Sequence, residues 1–329
     1  MAKNYNLNKM SLAKRYEFAN PDIQGDTYAG ELSLPYLNAA LKSNDTIAKG
    51  FVRTLDGLTS KAVMIRMSST ALIGAANCDW QNGDDFQTNE ETITLNDYQV
   101  NQKLCRSTVF PTWIGQGMDR NGNLPQTFEK YLLEFTAAKV AEEYETNLWM
   151  GSANGIGFVS NDGNFDDTGI EASACKDFAE VDFANAPAVG TIIGLMNDVL
   201  NQALTTNSAM VGKTGFGFYM NTGTYALYAQ ALANATTFQA LGAAANFDNL
   251  TFMGYPIYVC PGMPNDCIIA TYPENLVVAS NVGTDVTSVQ IIPTYQYDGS
   301  DQVRIVMRWA YGVGVGIPTD GVFGSSVHA

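Results

Sequence analysis

Hydrophobic and polar positions along the chain divide it into segments of different period. Residues 1–50 are polar, Asn-rich and weakly periodic, which predicts an extended arm more than a packed unit. From Asp45 to Met67 the pattern becomes strand-like. Val63, Ile65 and Met67 alternate with Met64 and Arg66, so the first set is expected on the buried face of a half-buried strand. A polar excursion, Gly74 to Glu91, separates it from a second apolar face carried by Ile93, Leu95, Tyr98 and Val100. Two strands around a long polar tip make a projecting hairpin. Such a hairpin is marginal alone in water, so it is expected to lie against something outside its own domain.

The clearest helix runs from Pro125 to Met150. Asn123 can cap it, Pro125 suits its first turn, and Gln126 stands near the position of a capping-box acceptor. Phe128, Leu132, Phe135, Ala138, Ala141, Tyr144 and Leu148 recur at spacings of three and four and predict one apolar stripe. At 1.5 Å per residue the helix would be roughly 39 Å long. Gly151 stops it. A shorter helix is predicted over Ala188–Leu204, with Ile192, Leu195, Met196, Val199, Leu200 and Ala203 on one face. A strand at Gly217–Met220 follows, then a helix from Thr224 to Ala235 capped by Asn221 or Thr222. The strands LTFMG, PIYVC, CIIAT, NLVVAS, VTSVQII and QVRIVMRWAYGVGV complete the chain. Strands in both halves indicate an α+β protein, not a βαβ array.

Composition narrows the function classes. The chain has 329 residues, enough to bury a full core, and 46% hydrophobic against 16% charged residues excludes wholesale disorder. Its formal net charge of −15 opposes binding through phosphate contacts, so a basic nucleic-acid interface is not expected. Merely enclosing nucleic acid remains compatible. The N-terminus has Lys and Arg but no apolar core, so it does not read as a secretory signal, and no apolar run is long enough for a membrane helix. The cysteines are Cys78, Cys105, Cys175, Cys260 and Cys267. They are odd in number and without a CxxC pair, which reads as free, buried thiols in a reducing cytoplasm.

Candidate chemistry is sparse. The single histidine, His328, lies in the tail, which closes off Ser-His-Asp, Cys-His and His-rich metal arrangements. Val211–Gly215 (VGKTG) has Asn207 where a phosphate loop needs its first Gly, and reads as a turn. Asp119, Asn121 and Asn123 alternate like calcium ligands, yet Leu124 and Lys130 occupy the Gly and Glu positions. In the second acidic loop Asp162, Asn164 and Asp166 meet the same obstacle at Asp167 and Ser173. Gly312, Gly314 and Gly316 alternate, which is not the dinucleotide spacing and instead predicts close approach of a neighbouring backbone. Of the carboxylate pairs, Glu142/Glu143 falls on a helix surface and Asp166/Asp167 in a loop. No catalytic, cofactor-binding or metal-binding residue is assigned.

Particular residues carry a resemblance. Gly217–Leu227 (GFYMNTGTYAL) is similar to the strand, Asn cap and helix that open the axial domain of tailed-phage major capsid proteins of the HK97 fold. Gly254-Tyr255-Pro256-Ile257, followed by Cys260-Pro261-Gly262-Met263-Pro264, resembles that family's next strand and turn. Asn275–Ser280 and Val286–Ile292 resemble the two strands after it, and Asp298–Gly316 the strand that returns to the peripheral domain. The LTFMGYPIYVCPGMP pattern looks closest to capsid proteins of short-tailed phages. The resemblance spans almost the whole chain in order.

It implies an α+β, HK97-like fold. The N-terminal arm would be 1–50 and the E-loop hairpin with flanking P-domain strands 51–110. The P domain would be 111–205 with its spine helix at 125–150, the A domain 206–295, and the return strand and tail 296–329. The implied function is a non-enzymatic coat, assembling as hexamers and pentamers into an icosahedral head around phage double-stranded DNA. Expected partners are other copies, portal and scaffolding proteins and a decoration protein, with no sequence-specific DNA contact, no cofactor and no membrane. The short arm leaves no room for a large fused scaffolding segment, so scaffolding is expected from a separate protein. The implied location is the virion, assembled in the bacterial cytoplasm. Some relatives join a Lys to an Asn covalently; Lys61 and Lys103 lie near the hairpin, and the sequence identifies no pairing. An encapsulin-type protein compartment, an acidic β-rich glycan-binding or glycan-active protein, and a cytosolic enzyme using a carboxylate pair are the alternatives.

Overall fold

A computed structural model describes residues 45–68, 87–105, 126–160, 173–234, 250–281, 288–294, 297 and 299–326. The arm through residue 44, the hairpin tip at 69–86, the acidic loops at 119–125 and 161–172, Cys78 and His328 lie outside them. The chain divides into two compact units. One comprises Met1–Leu37, Gln99–Ala137 and Ser288–Arg308, the other Asn38–Tyr98, Ala138–Thr287 and Trp309–Ala329.

In chain order the elements begin with a single helical turn, α1 (Asp45–Ala48), and β1 (Arg53–Leu55). The hairpin strands β2 (Lys61–Ser68) and β3 (Gln87–Thr94) follow, then β4 (Asn96–Cys105). The long helix α2 spans Gln126–Met150. After it come β5 (Ala179–Asp182), α3 (Ile192–Val211), β6 (Gly217–Met220) and α4 (Thr222–Asn234). The strands β7 (Thr251–Phe252), β8 (Tyr255–Val259), β9 (Cys267–Thr271) and β10 (Leu276–Ser280) follow, and β11 (Ser288–Pro293), β12 (Gln302–Val315) and β13 (Val322–Ser325) end the described chain.

The first unit takes its described order from β11 and the start of β12, antiparallel with Ser288 opposite Arg308 and Pro293 opposite Val303. Val289, Ile291, Val303, Ile305 and Met307 are buried, whereas Gln290, Arg304 and Arg308 are exposed. That alternation is what the sequence predicts for a half-buried pair. The Thr294 amide closes the turn by donating to the Gln302 carbonyl at 3.0 Å, and Gly299 takes the positive φ of 68° that the turn requires.

The second unit is organised by a six-stranded mixed sheet in the order β5-β13-β9-β6-β8-β7. Its central strands are buried along their whole length because both faces are covered. On one face Phe216, Phe218, Met220, Ile268 and Ala270 pack with Ile192, Met196, Val199, Leu200 and Ala203 of α3 and with Tyr228 and Ala231 of α4. On the other, Tyr219 stands against Trp149 of α2 with ring centroids 6.0 Å apart, and Trp149 meets Phe158 at 5.3 Å. The β7–β8 connection is a two-residue turn with positive φ at both Met253 (49°) and Gly254 (89°), the backbone of a type I′ hairpin. In the same unit β10 pairs in parallel with β1 and antiparallel with the end of β12.

Three expectations are corrected. First, Val63, Ile65 and Met67 are 54%, 64% and 64% exposed, so the apolar row expected on the inner face of β2 is the outer one. The inner face carries Ala62, which lies opposite Ile93 and packs with it against Val277 and Ala279 of β10. The register answers to the alternating glycines of β12. A Cβ at Gly312 would stand 2.2 Å from the Thr94 carbonyl oxygen, and one at Gly314 would stand 2.4 Å from Ile93. The glycines clear room for Ile93, which fixes its neighbours' faces as well.

Second, α2 buries Leu132, Leu133, Thr136, Val140, Tyr144, Glu145, Leu148 and Trp149, whereas Phe135 (55% exposed) and Ala138 face solvent. The stripe is rotated, because Glu145 and Thr136 occupy buried positions that a hydrophobicity pattern assigns outward. Third, α3 starts four residues later and runs seven further than predicted, with a break at Asn207 (φ −154°, ψ 92°).

Candidate functional site

Among the described residues, no group of three or more His, Cys, Asp or Glu is placed to hold a metal ion, and no helix is long and apolar enough to cross a membrane. Polar side chains inside the second unit act instead as clamps. Glu145, 7% exposed, accepts hydrogen bonds from the Thr46 amide at 3.2 Å and from the Thr46 hydroxyl. Trp149 Nε1 donates to that hydroxyl at 3.2 Å. A buried carboxylate is costly without such donors, and here they bind α1 to the C-terminal half of α2. Gly262 packs on the same turn of helix, where a Cβ would stand 2.2 Å from the Glu145 carbonyl oxygen.

The second clamp surrounds Asp320, which is 3% exposed. Lys213 pairs with its Oδ2, the Tyr272 hydroxyl donates to the same oxygen at 3.0 Å, and Asn207 Nδ2 donates to Oδ1 at 2.6 Å. Asn207 thus leaves helical geometry to reach the carboxylate, which accounts for the break in α3. Burial alone would lower the Lys213 ammonium, but the bonds to Asp320 and Tyr272 outweigh it and hold the pKa above its ordinary value. Asn275 Oδ1 accepts from the Ile317 amide at 2.7 Å and its Nδ2 donates to the Asp320 carbonyl at 3.2 Å. Together these bonds tie the turn before β13 to the end of α3. The segment Val211–Gly215, weighed as a phosphate loop, is the turn that delivers Lys213 to this network.

The remaining sequence candidates are not brought together. Glu142 and Glu143 are both exposed on α2, and Glu142 pairs with Lys139 at 2.6 Å, which lowers its carboxyl pKa. A hollow of about 370 Å³ is lined by Asp45, Glu142 and Glu145, but each carboxylate already has a partner, Asp45 with Lys49 at 3.4 Å. Cys175, Cys260 and Cys267 are buried and their thiols are pushed well up by desolvation; Cys105 is exposed. Lys61 and Lys103 are both exposed on their strands.

The surface that stands out is the outer side of the hairpin. β2 and β3 form a two-stranded sheet, and no other described strand pairs with either. Its uncovered row, Val63, Ile65 and Met67, runs opposite Thr92, Glu90 and Thr88. At the root a groove of about 460 Å³ opens between β1 and β2, lined by Arg53, Leu55, Val63, Ile65, Arg66 and Glu274 among others. Neither Arg53 nor Arg66 stands out in the sequence, where Lys49, Asp56 and Lys61 are close neighbours.

Three solved structures resemble this fold along nearly their full length. The capsid of an empty GTA particle matches with a TM-score of 0.56 at 13% identity, covering 86% of this chain and 90% of that one. The capsid of Myoviridae phage XM1 matches at 0.53 and 10% identity, covering 86% and 92%. A structure from Gordonia phage Cozz matches at 0.52 and 12% identity, covering 86% of each chain. No protein-family profile and no curated protein matches the sequence. At such identities the likeness is one of fold. The chain has the α+β, HK97-like fold of phage capsid proteins, as the resemblance in its sequence implies.

Proposed function

We propose that this chain is a structural shell subunit, a major capsid protein that self-assembles as hexamers and pentamers into an icosahedral head around double-stranded phage DNA. The observation that carries the reading is the capsid fold, shared over 86% of this chain and 90% of the GTA capsid chain. The hairpin supports it. Two strands with one uncovered apolar face are marginal alone, and a neighbouring subunit would complete them. The acid excess suits a wall that encloses DNA without gripping its phosphates.

In this reading 1–50 is the arm, 51–110 the E-loop region, 111–205 the P domain, 206–295 the A domain, and 296–329 the return strand and tail. Portal, scaffolding and decoration proteins are its expected partners, and the virion, assembled in the host cytoplasm, is its location. No step of this role needs catalysis.

Electron microscopy of the purified protein, expressed with and without a co-expressed scaffold, tests the proposal. Closed shells or rings of five and six subunits are expected, and their contents distinguish a DNA-filled head from a protein-filled compartment. A monodisperse monomer under both conditions overturns it.

A further inference from the structure

Among the described residues of the second unit two carboxylates are buried, and they are held in different ways. Asp320 draws its donors from three places: Asn207 in the break of α3, Lys213 in the turn after it, and Tyr272 just beyond β9. Glu145 draws both of its described donors from one residue, the amide and the hydroxyl of Thr46. Thr46 is fully buried, and it is the one buried residue of α1. The attachment of α1 to α2 thus centres on a single side chain.

In other respects α1 is closed on itself. The Gly50 amide donates to the Ile47 carbonyl at 3.0 Å and the Phe51 amide to the Thr46 carbonyl at 3.1 Å, with Gly50 at φ 70°. These are the paired bonds of a Schellman motif, and they satisfy the helix end without help from the rest of the unit. The exposed ion pairs stay within their own elements, Lys49 with Asp45 and Lys139 with Glu142. Beyond Gly50 the chain is fastened afresh. The Tyr219 hydroxyl donates to the Phe51 carbonyl at 2.7 Å, the Phe51 ring lies 4.9 Å from that of Tyr258, and Val52 is buried. Gly50 therefore stands between a turn held by one polar knot and a stretch held by the sheet. A Cβ there would meet nothing within 4 Å, so the position has room to move.

The surroundings of the knot favour its opening. The hollow of about 370 Å³ borders it from both sides, with Asp45 on α1 and Glu142 and Glu145 on α2. A buried carboxylate that loses its donors is costly. Here water from the hollow reaches Glu145 as Thr46 leaves, so opening does not strand the charge.

We propose that α1 is a latch, which swings out about Gly50 while the six-stranded sheet stays folded and so releases the chain that precedes it. A lone helical turn does not persist once detached, and fully extended the stretch Asp45–Lys49 spans roughly 17 Å. In a shell the latch would set how far the preceding residues reach towards neighbouring copies. Only that consequence rests on the shell reading.

Hydrogen exchange on the full chain, read by mass spectrometry, tests the latch. In the wild type the amides of Thr46, Lys49, Gly50 and Phe51 are expected to exchange together and well ahead of those in β6 and β9. Thr46→Val keeps the shape and removes the hydroxyl. It should speed exchange of the latch amides about tenfold or more, the loss of one hydrogen bond to a charged group, and leave the sheet unchanged. Thr46→Ser keeps the hydroxyl and should stay near wild type. Exchange of the latch in step with the sheet overturns the proposal, and that wild-type comparison holds even where Thr46→Val does not fold. Equal acceleration of latch and sheet by Thr46→Val also overturns it, because the knot would then be part of the core. So does an absence of any effect. Failure of the wild type to form shells, with the exchange pattern intact, would strike the shell reading alone.

Discussion

The strands of the six-stranded sheet and the hairpin strand β2 are written alike, and they end in different surroundings. β6 (GFYM) and β9 (CIIAT) are apolar almost throughout, and so is the middle of β2 (AVMIRM). In the first two every residue is buried, because helices cover one face and Trp149 and its neighbours the other. In β2 only one face is covered, by β10, while Val63, Ile65 and Met67 stay open. A continuous apolar run states that both faces need cover. It does not state that the same chain provides both covers. Where the described residues leave the second face open, the run points to another polypeptide.

Substitutions can break that comparison. Phe218→Ala, in the fully buried strand, should cost about 3–5 kcal/mol in denaturant unfolding of the subunit, the range for deleting a buried aromatic side chain. Gly312→Ala should cost roughly 1–3 kcal/mol, because the new methyl meets the Thr94 carbonyl oxygen and the backbone has little room to yield. Ile65→Ser should leave the isolated subunit within about 0.5 kcal/mol of wild type, yet lower the yield of closed particles seen by microscopy. Equal losses of subunit stability for Phe218→Ala and Ile65→Ser would end the distinction.

Titration sharpens the same contrast with a smaller effect. Burial holds the Tyr219 phenol well above its ordinary 10.0, and the bonds to Asp320 and Tyr272 hold Lys213 above its ordinary 10.5. Above those ordinary values the unfolded chain releases these protons before the native one does. Stability is therefore fully present below about pH 10 and falls as pH rises through the native values. Lys213→Met should make the alkaline decline shallower in a pH series of melting curves. An unchanged slope would remove the Asp320 clamp from the account.

Much of the fold was legible in the sequence. The strand at Gly217–Met220, the Asn221 turn and the helix after it stand where the pattern puts them, because each depends on neighbours within a few residues. Asn221 accepts from the Gly223 amide at 2.8 Å, a bond that local spacing alone predicts. The face of β2 was not legible. Its register is set by Ile93 entering the space that Gly312 and Gly314 leave, more than 200 residues away in sequence. The buried face of α2 departs from the hydrophobic pattern for a related reason, since Glu145 is buried only because Thr46, 99 positions earlier, supplies its donors. Of the hairpin's open face, the apolar row was visible in the sequence, but not which side of the strand it would occupy.

The buried thiols make the subunit its own stopwatch. A thiol reacts as thiolate, so Cys175, Cys260 and Cys267, shut away from water and held protonated, are silent towards alkylating reagents while the core is closed. Cys105, open to solvent, can react at once. The delay between its labelling and theirs measures how long the core around the six-stranded sheet stays shut, during assembly or afterwards, without any probe being added to the chain.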